Sequence, residues 1–369
     1  MARPVSHFRR ILLIFEAEMI NTLRLLLFPF ALLYGLVVII RNKFYDWGVF
    51  KSQVFDLPVI CVGNLVVGGS GKTPVTEYLV NLLGGYKIAI LSRGYGRETK
   101  GFILADQNAT ALSIGDEPLQ YYKKFPKITV AVCEDRVKGI KQLKATHDLV
   151  ILDDAFQHRN VKPGFNILLF EYGKLLKRQF LLPAGNLREP FKGYQRAQAV
   201  LVTKVPGKLQ PQDKLRVEQQ FSAAWKPAFS VLKYGDLQPV FAGEILPLSA
   251  ISKLTNLFLL TGIANPEPLI TQLKNYSSKI VHFDYPDHHQ FSEAEINKLV
   301  KSFQQEKTKE KIIITTEKDS QRLNAVGIKE LLLDLPLFFL PIKIDILEED
   351  KLIFEKNIID YVSSYTRNR

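Results

Sequence analysis

The feature that most constrains the fold is a glycine-rich turn between an apolar run and a helical pattern. Pro58–Val62 (PVICV) has the composition of a buried strand, and VGGSGKT at 67–73 follows it closely. Glycines let successive backbone N–H groups wrap an anion without Cβ clashes, and the N-terminus of the next helix adds partial positive charge. The pattern predicts a phosphate-binding P-loop and a helix from about Lys72 to Leu83.

The position of the polar side chains in this loop predicts their chemical roles. Lys72 is expected to reach the β- and γ-phosphates of a nucleotide, and the Thr73 hydroxyl is expected to bind Mg²⁺. The usual pattern has another glycine five residues before Gly71, where this chain has Val66, so the match is incomplete at its first position. The predicted nucleotide-binding residues are Val67, Gly68, Gly69, Ser70, Gly71, Lys72, Thr73 and Pro74.

An acidic motif further along the chain supports the same chemistry. The segment HDLVILDD at 147–154 is an apolar strand that ends in two carboxylates. In P-loop proteins a carboxylate at such a strand tip holds Mg²⁺, and the motif is strong only because it lies downstream of GKT. Asp153 and Asp154 point in opposite directions if the strand continues, so only one of them would face the metal.

Short β-rich runs alternate with helical stretches along the first half of the chain. This alternation predicts an α/β fold in which a mostly parallel sheet is covered by helices on both faces. The predicted strands are Pro58–Val62, Lys87–Leu91, Ile128–Val132, Leu149–Leu152, Asn166–Phe170 and Ala199–Thr203.

The alternation returns after Leu257, where Ser292 and Glu295 form a capping box that predicts a helix running towards Phe303. A single late strand is predicted over Leu337–Ile344. The predicted organisation is a membrane-associated helical segment over 1–48, a P-loop nucleotide-binding domain over 49–205, a linker over 206–224, and a second, smaller α/β domain over 225–369.

The N-terminal segment differs in composition from the rest. Leu25–Ile40 contains sixteen uncharged, mostly apolar positions, and Arg24, Arg41 and Lys43 bound it. A perpendicular span needs about 20 apolar residues, so this run is short for a full crossing. We predict a helix that dips into one leaflet with its basic ends at the headgroups. The alternative is a buried helix packed on the domain, since the run also has the length of a core helix.

Charge and cysteine content limit the possible partners. The formal net charge of +12 favours an anionic partner, which nucleic acid, a membrane leaflet or a phosphorylated substrate would each satisfy. The Lys and Arg residues form no long block and no recurring pattern with aromatic residues, so nucleic-acid binding is not expected. Cys61 and Cys133 belong to no CxxC pair, which disfavours a zinc site or a disulfide framework.

Polar clusters follow several of the predicted strands, where α/β sheets build their sites. Arg93 lies in SRGYGR and Arg159 ends DAFQHR, and guanidinium groups suit phosphate oxygens. The turn-rich LPAGNLREP at 182–190 displays an Arg–Glu pair. Asp287-His288-His289, just before the capped helix, suggests acid/base chemistry.

These residues together resemble the tetraacyldisaccharide 4′-kinase family, also called the lipid A 4′-kinases. Members of the family are similar in lacking the first P-loop glycine, so Val66 does not count against the resemblance. This chain departs from the family at Ala155, where Gly is usual, and at Asn186. The matching blocks are VGNLVVGGSGKTP (62–74), LSRGYGR (91–97), GDEP (115–118), DDAFQHR (153–159), LPAGNLREP (182–190), TGIANPE (261–267), FDYPDHHQF (283–291) and TTEKD (315–319).

The resemblance implies a P-loop kinase-like fold in two domains, with the N-terminal helix on the cytoplasmic face of the bacterial inner membrane. It implies ATP and Mg²⁺ as cofactors. The implied reaction phosphorylates the 4′-hydroxyl of a tetraacyl glucosamine disaccharide 1-phosphate, a lipid-linked substrate, in lipid A biosynthesis.

The resemblance also implies roles for individual residues. Asp116 matches the family's base, acting with His288, and Lys72 completes the catalytic group. The expected metal ligands are Thr73, Asp153, Asp154 and Glu117, and the expected substrate contacts are Arg93, Arg159, Arg188 and Glu189.

Three other functions are compatible with a P-loop. A base-specific GTPase needs an Asn/Thr-Lys-x-Asp element, but Thr203-Lys204-Val205 is followed by Pro206, which disfavours GTP. A membrane-bound nucleotide switch would not need Asp116 or His288. A soluble small-molecule kinase would not need residues 1–48.

Overall fold

The structure, a computed structural model, describes residues 23–366 as two β-sheets with helices packed around them. The strands are β1 (Val59–Asn64), β2 (Ile88–Ser92), β3 (Ile103–Leu104), β4 (Thr129–Val132), β5 (Leu149–Asp153), β6 (Phe165–Glu171), β7 (Ala199–Thr203), β8 (Ala228–Tyr234), β9 (Gln238–Pro239), β10 (Asn256–Thr261), β11 (Lys279–Asp284), β12 (Lys311–Thr316), β13 (Leu337–Leu340) and β14 (Ile342–Ile346).

The helices lie between these strands and at both ends of the described chain. They are α1 (Phe28–Asp46), α2 (Lys72–Leu82), α3 (Ala111–Ile114), α4 (Asp116–Lys124), α5 (Arg136–Leu143), α6 (Tyr172–Leu175), α7 (Pro211–Glu218), α8 (Glu267–Lys274), α9 (Glu293–Gln305), α10 (Glu317–Ser320), α11 (Ile328–Leu332) and α12 (Glu348–Thr366). Short 3₁₀ turns occupy Leu25–Leu27, Phe191–Arg196, Leu248–Ala250 and Arg322–Asn324.

The first sheet has nine strands in the order β14-β8-β7-β6-β1-β5-β2-β4-β3. Only its edge strands β14 and β3 pair antiparallel with their neighbours. Alternate residues of the central strand β1 enter different cores, with Cys61 in one hydrophobic cluster and Ile60 in the other. Apolar residues on both faces require cover on both sides. The predicted fold class, a mostly parallel sheet between helical layers, is confirmed.

The second sheet has five strands in the order β11-β10-β12-β13-β9, and β9 alone pairs antiparallel. Helix α9 begins at the predicted capping box, where the Ser292 side chain accepts from the Glu295 N–H and Glu295 accepts from the Ser292 N–H. We call the parts of the molecule built on the two sheets the P-loop unit and the second unit.

The two sheets divide the chain differently from the predicted boundaries. Strand β8 pairs parallel with β7, and β14 pairs antiparallel with β8, so both belong to the P-loop unit. Helix α12 returns as well, since Phe354, Ile358 and Val362 pack in one cluster with Ile60. The predicted linker 206–224 contains helix α7, and Phe221 in it is buried.

The single strand predicted over Leu337–Ile344 is wrong. Pro341 separates β13 from β14, and the two strands belong to different sheets. Proline lacks the N–H that a continuous ladder needs, so the chain changes sheets at this residue.

Helix α1 lies against the P-loop unit with one narrow face. Ala31, Gly35 and Val38 are buried, and an added Cβ at Gly35 would approach Leu181 to 2.6 Å. Within the 22-residue helical segment from Leu25 to Asp46, the most apolar 18-residue window has a mean hydropathy of 2.0, yet only 17% of that window is buried. A core helix would be mostly buried, so the alternative of a packed interior helix does not fit. Residues 1–22 of the predicted segment 1–48 lie outside the described residues.

Candidate active site

The P-loop connects the end of β1 to the start of α2. Gly68 and Gly71 adopt φ values of +104° and +85°, which glycine tolerates at little cost. Inside the turn, Asn64 donates from Nδ2 to the Ser70 hydroxyl at 2.8 Å, and the Thr203 hydroxyl donates to the Ser70 carbonyl at 2.9 Å. The loop conformation is therefore fixed from β1 and β7, the strands on either side of β6.

A second loop supports the P-loop from outside. The Val67 N–H donates to the Asn186 carbonyl at 2.9 Å, and the Arg188 N–H donates to the Leu65 carbonyl at 2.7 Å. An added Cβ at Gly69 meets nothing within 4 Å, so there is open space beside the glycine turn. A turn held from behind and open in front has the form expected of a phosphate cradle.

Lys72, the first residue of α2, reaches towards the end of β5. Its Nζ lies 3.6 Å from Asp154 Oδ1, and Arg188 lies 3.1 Å from the same oxygen. Asp154 has φ +49°, so the chain turns immediately after the strand and directs this carboxylate towards the loop. Lys72, predicted to bind phosphate, and Arg188, predicted to contact the substrate, thus both lie beside the carboxylate of Asp154, a predicted metal ligand.

Asp153 is buried beneath this group. The Tyr121 hydroxyl donates to its Oδ2 at 3.3 Å, and Tyr121 also interacts with the Thr73 side chain. Burial, with the nearby charges of Asp154 and Glu117, raises the pKa of Asp153 to about 7 although Lys72 opposes the shift. Its Oδ1 is buried without a hydrogen-bond partner among the described residues. A buried acceptor of this kind fits a cation that binds beside the phosphates.

Asp116 and His288 meet where the two units face each other. Asp116 begins α4, His288 follows β11 with φ +60°, and the His288 Nδ1 to Asp116 Oδ2 distance is 2.9 Å. Arg322 contacts both oxygens of the same carboxylate. Burial alone would raise the pKa of Asp116, but hydrogen bonds from His288 and Arg322 outweigh it and lower the pKa to about 2. Asp116 is therefore ionised, and His288 Nδ1 carries the proton between them.

The other nitrogen of His288 faces a lysine. Lys318 Nζ lies 3.0 Å from His288 Nε2, 3.1 Å from Asp287 Oδ1 and 3.2 Å from Glu117 Oε1. With Nδ1 protonated, Nε2 holds the lone pair and accepts from Lys318. Glu117, predicted as a metal ligand, thus has a lysine of the second unit as its partner in this structure.

The remaining predicted residues lie in different surroundings. Arg93 is exposed on the loop after β2. Arg159 donates to the Asn42 carbonyl and to Asp46, both at 2.8 Å, so it fastens the end of α1 rather than facing the P-loop. Glu189 is fully buried and accepts from Arg196, Gln157 and Asn42, which places its carboxylate inside the supporting loop.

Three residues of the site were missed by the sequence interpretation. Tyr121 gave no signal, because its partner Asp153 lies 32 positions away. Lys318 lies in the TTEKD block, and Arg322 follows Asp319 by three residues, the spacing at which two side chains meet on one helical turn. That spacing is the signal that points to Arg322.

A glycine turn of this form at the carboxyl edge of a parallel sheet defines a P-loop nucleotide-binding protein, and the acid–imidazole pair opposite it indicates a phosphotransferase. Residues 23–360 match the model of the tetraacyldisaccharide-1-P 4′-kinase family. The chain belongs to this family.

Individual relatives of this chain carry the name of the same family. The tetraacyldisaccharide 4′-kinase of Bacteroides thetaiotaomicron is 46% identical over 93% of this chain and 94% of its own length. That of Flavobacterium psychrophilum is 45% identical over 94% of this chain and 99% of its own. A crystal structure of LpxK from Aquifex aeolicus in complex with ATP has a TM-score of 0.71 and 31% identity, covering 92% of this chain and 99% of that one.

The comparisons confirm the family resemblance and the phosphotransferase class predicted from the sequence. Relatives that match nearly end to end and are named as 4′-kinases argue against a GTPase and against a switch without enzymatic activity. They also show that the incomplete glycine pattern at Val66 is no obstacle to membership.

Proposed function

We propose that the protein transfers the γ-phosphate of ATP to the 4′-hydroxyl of a tetraacyl glucosamine disaccharide 1-phosphate. The observation that carries the proposal is a family match over residues 23–360 that includes both the P-loop and His288. In the proposed reaction the 4′-oxygen forms a bond to the γ-phosphorus as the bond between the β–γ bridging oxygen and that phosphorus breaks. The hydroxyl proton passes to the Asp116–His288 pair, and ADP leaves.

The direct test is transfer of label from γ-labelled ATP to a panel of acceptors. The panel contains the tetraacyl disaccharide 1-phosphate, the deacylated disaccharide 1-phosphate and free glucosamine, with GTP as an alternative donor. We expect label on the acylated acceptor with ATP only. Label in free phosphate alone, or on the deacylated sugars at equal rates, would contradict the proposed acceptor.

We propose Mg²⁺ as the accompanying cation. The described residues contain no cluster of three or more His, Cys, Asp or Glu side chains arranged to hold a metal. Mg²⁺ commonly binds through one or two protein groups and the nucleotide phosphates, which fits the buried Asp153 Oδ1 and the neighbouring Thr73. When bound, the ion would neutralise charge on the phosphate oxygens.

The Asp153→Asn variant should bind the cation more weakly. We expect the Mn²⁺ affinity, measured by electron paramagnetic resonance with ATP bound, to fall by about 10- to 100-fold or more. Losses of about this size are typical when an outer-shell partner of a metal is removed. The control is Asp148→Asn at the opposite end of β5, which should bind Mn²⁺ like the wild type. Unchanged affinity in Asp153→Asn would remove this residue from the cation site.

We also propose that α1 attaches the protein to the cytoplasmic leaflet of the inner membrane as a peripheral or monotopic anchor. One face of the helix is docked on the P-loop unit, while Leu33 and Val37 on another face are 61% and 57% exposed, and Leu26 in the preceding 3₁₀ turn is 75% exposed. A single apolar helix is weak evidence alone, but an exposed face of this kind suits the boundary between headgroups and acyl chains. ATP in the cytoplasm and a lipid acceptor then meet at the membrane surface.

The triple variant Leu26→Gln/Leu33→Gln/Val37→Gln should detach from membranes. At roughly 1 kcal/mol for each side chain, vesicle partitioning should fall by about 10²-fold. The KM for the lipid acceptor should rise while the KM for ATP stays unchanged, measured with vesicles present. The control Leu352→Gln/Ile353→Gln changes two exposed apolar residues of α12. Equal partitioning of the triple variant and the wild type would refute the anchor.

A further inference from the structure

Arg322 lies at the carboxyl edge of the second sheet, in the 3₁₀ turn Arg322–Asn324 that follows β12 and α10. This edge is the topological switch point of the sheet, because the chain leaves β10 for β11 on one side and reaches β12 on the other. Open α/β sheets usually bind ligands there. In this protein the guanidinium of Arg322 fills the crevice with its side chain fully buried.

The arginine is held within the second unit by three acceptors. Its Nη1 donates to Asp319 Oδ1 at 2.9 Å, to the His289 carbonyl at 3.3 Å and to the Gly262 carbonyl at 3.4 Å. Asp319 is itself fixed, since its Oδ2 accepts from the Gly262 N–H at 3.0 Å and from the Thr316 hydroxyl at 2.7 Å. The direction of the guanidinium is therefore set before it meets the P-loop unit.

The remaining nitrogens of Arg322 face Asp116 across the boundary between the units, and Nη2 also lies 3.5 Å from His288 Nδ1. Nε lies 3.0 Å from Asp116 Oδ1, and Nη2 contacts Asp116 Oδ2. A guanidinium that contacts both oxygens fixes the plane of a carboxylate, which a single point charge does not do. Asp116 Oδ2 also accepts a hydrogen bond from His288 Nδ1. The plane of the Asp116 carboxylate therefore sets the orientation of the imidazole.

We propose that Arg322 is a positioning residue for the phosphotransfer: it aligns Asp116 so that His288 is presented to the acceptor hydroxyl only when the two units are together. The inference rests on the proposed kinase function and adds to it a residue whose side chain is fully buried and acts through Asp116. It also gives Asp116, which is 4% exposed, the charged partner that a buried carboxylate needs.

The test compares Arg322→Ala, Arg322→Lys and Glu317→Gln in the full-length protein. Glu317 forms another cross-unit ion pair, with Lys124 at 2.8 Å, and its replacement by Gln leaves the Lys124–Glu77 pair intact. We expect kcat to fall by about 10²-fold in Arg322→Ala, the loss typical of a misplaced group. The KM for ATP should stay within about threefold, because the P-loop lies in other elements, and Glu317→Gln should keep a kcat near that of the wild type.

Chemical rescue separates alignment from a general structural role. Guanidinium chloride at low millimolar concentration should restore part of the activity of Arg322→Ala, while methylammonium restores less and urea none. Arg322→Lys keeps the charge and much of the volume, so its unfolding temperature should remain closer to that of the wild type. Its kcat should still be reduced, because an ammonium group does not clamp both oxygens.

Two results would overturn the inference. One is a folded Arg322→Lys variant with wild-type kcat. The other is a Glu317→Gln variant that loses as much kcat as Arg322→Ala, because contact between the units would then be the whole effect. Wild-type protein that fails to phosphorylate the acylated disaccharide would instead refute the proposed function itself, so the two failures are distinguishable.

Discussion

Replacement of Lys72 by Ala should lower kcat by at least about 10²- to 10³-fold, the loss seen when one preorganised charge-stabilising donor is removed. Lys72 is the only cation that the glycine turn itself supplies, since it opens α2 directly after Gly71. Phosphoryl transfer places developing charge on the phosphate oxygens, and a lysine at this position stabilises it without reorganisation. The KM for ATP should change less than kcat, because the loop amides remain.

The variant should stay folded, which makes the result interpretable. Asp154 loses its contact with Lys72 but keeps Arg188 at 3.1 Å, so this carboxylate retains a cationic partner. The measurements are ADP release with the acylated acceptor and the unfolding temperature of the same preparation. Lys87→Ala, an exposed lysine at the opposite edge of the sheet, is the charge-matched control. A Lys72→Ala variant that keeps more than about a tenth of wild-type kcat would contradict the proposed role.

The parts of the fold that follow from the sequence are those fixed by neighbouring residues. The glycine turn and the start of α2 depend on residues 67–73, and the start of α9 depends on Ser292 and Glu295 alone. Strands β1, β5 and β7 begin and end within two residues of the predicted runs because each is a short apolar segment bounded by polar or turn-forming residues. Local chemistry is sufficient in these places.

The path of the chain between the sheets does not follow from local patterns. Strands β8 and β14 are separated by the whole second unit, yet they pair directly, as Ile344 does with Leu232. Leu337–Ile346 is uniformly apolar and β-rich apart from Lys343, Asp345 and Pro341, and periodicity does not reveal that its two halves enter different sheets. Which sheet each half joins is determined by its pairing with strands that are distant in the sequence.

The candidate site shows the same division. The loop, Lys72 and the strand-tip acids were predicted from motif chemistry, and the Asp116–His288 contact was expected from the family resemblance. The contact of Arg322 with Asp116 was not predicted, because the two residues are 206 positions apart in the sequence. Arg159 was expected to face the substrate but contacts α1, since a motif indicates that an arginine is present without indicating which neighbour it meets.

The second large effect is expected at the pair of Asp116 and His288. A sugar hydroxyl is a poor nucleophile at neutral pH, and a positioned base contributes about 10²- to 10⁴-fold. The two side chains come from opposite units and meet at 2.9 Å, so the pair is complete only where the two units meet. An ionised Asp116 accepts from His288 Nδ1, which leaves the Nε2 lone pair as the proton acceptor, as in other acid–imidazole pairs.

Lys318 occupies that lone pair in this structure, with Nζ at 3.0 Å from Nε2. The lysine also has Asp287 and Glu117 as partners, so it has anionic contacts to keep when it leaves the imidazole. A substrate hydroxyl at Nε2 would replace the ammonium group. We expect the base to be blocked until then, which would suppress transfer of phosphate to water.

If the pair acts as one unit, Asp116→Ala and His288→Ala should each lower kcat by about 10²- to 10⁴-fold, and the double variant should lose little more than the worse single one. Asp116→Asn is a sharper variant, because an amide that donates to Nδ1 would favour the wrong tautomer of His288. The measurement is kcat with saturating ATP and acylated acceptor, with ATP affinity as the check on folding.

The neighbouring histidine provides the matched control. His289 stacks on Tyr285 with ring centroids 4.8 Å apart and contacts Glu295 at 3.0 Å, away from Asp116. His289→Ala should therefore retain most of the activity. Losses that multiply in the Asp116→Ala/His288→Ala double variant would indicate two independent roles, such as cation binding by one residue and sugar contact by the other. Wild-type kcat in His288→Ala would eliminate the imidazole as the base.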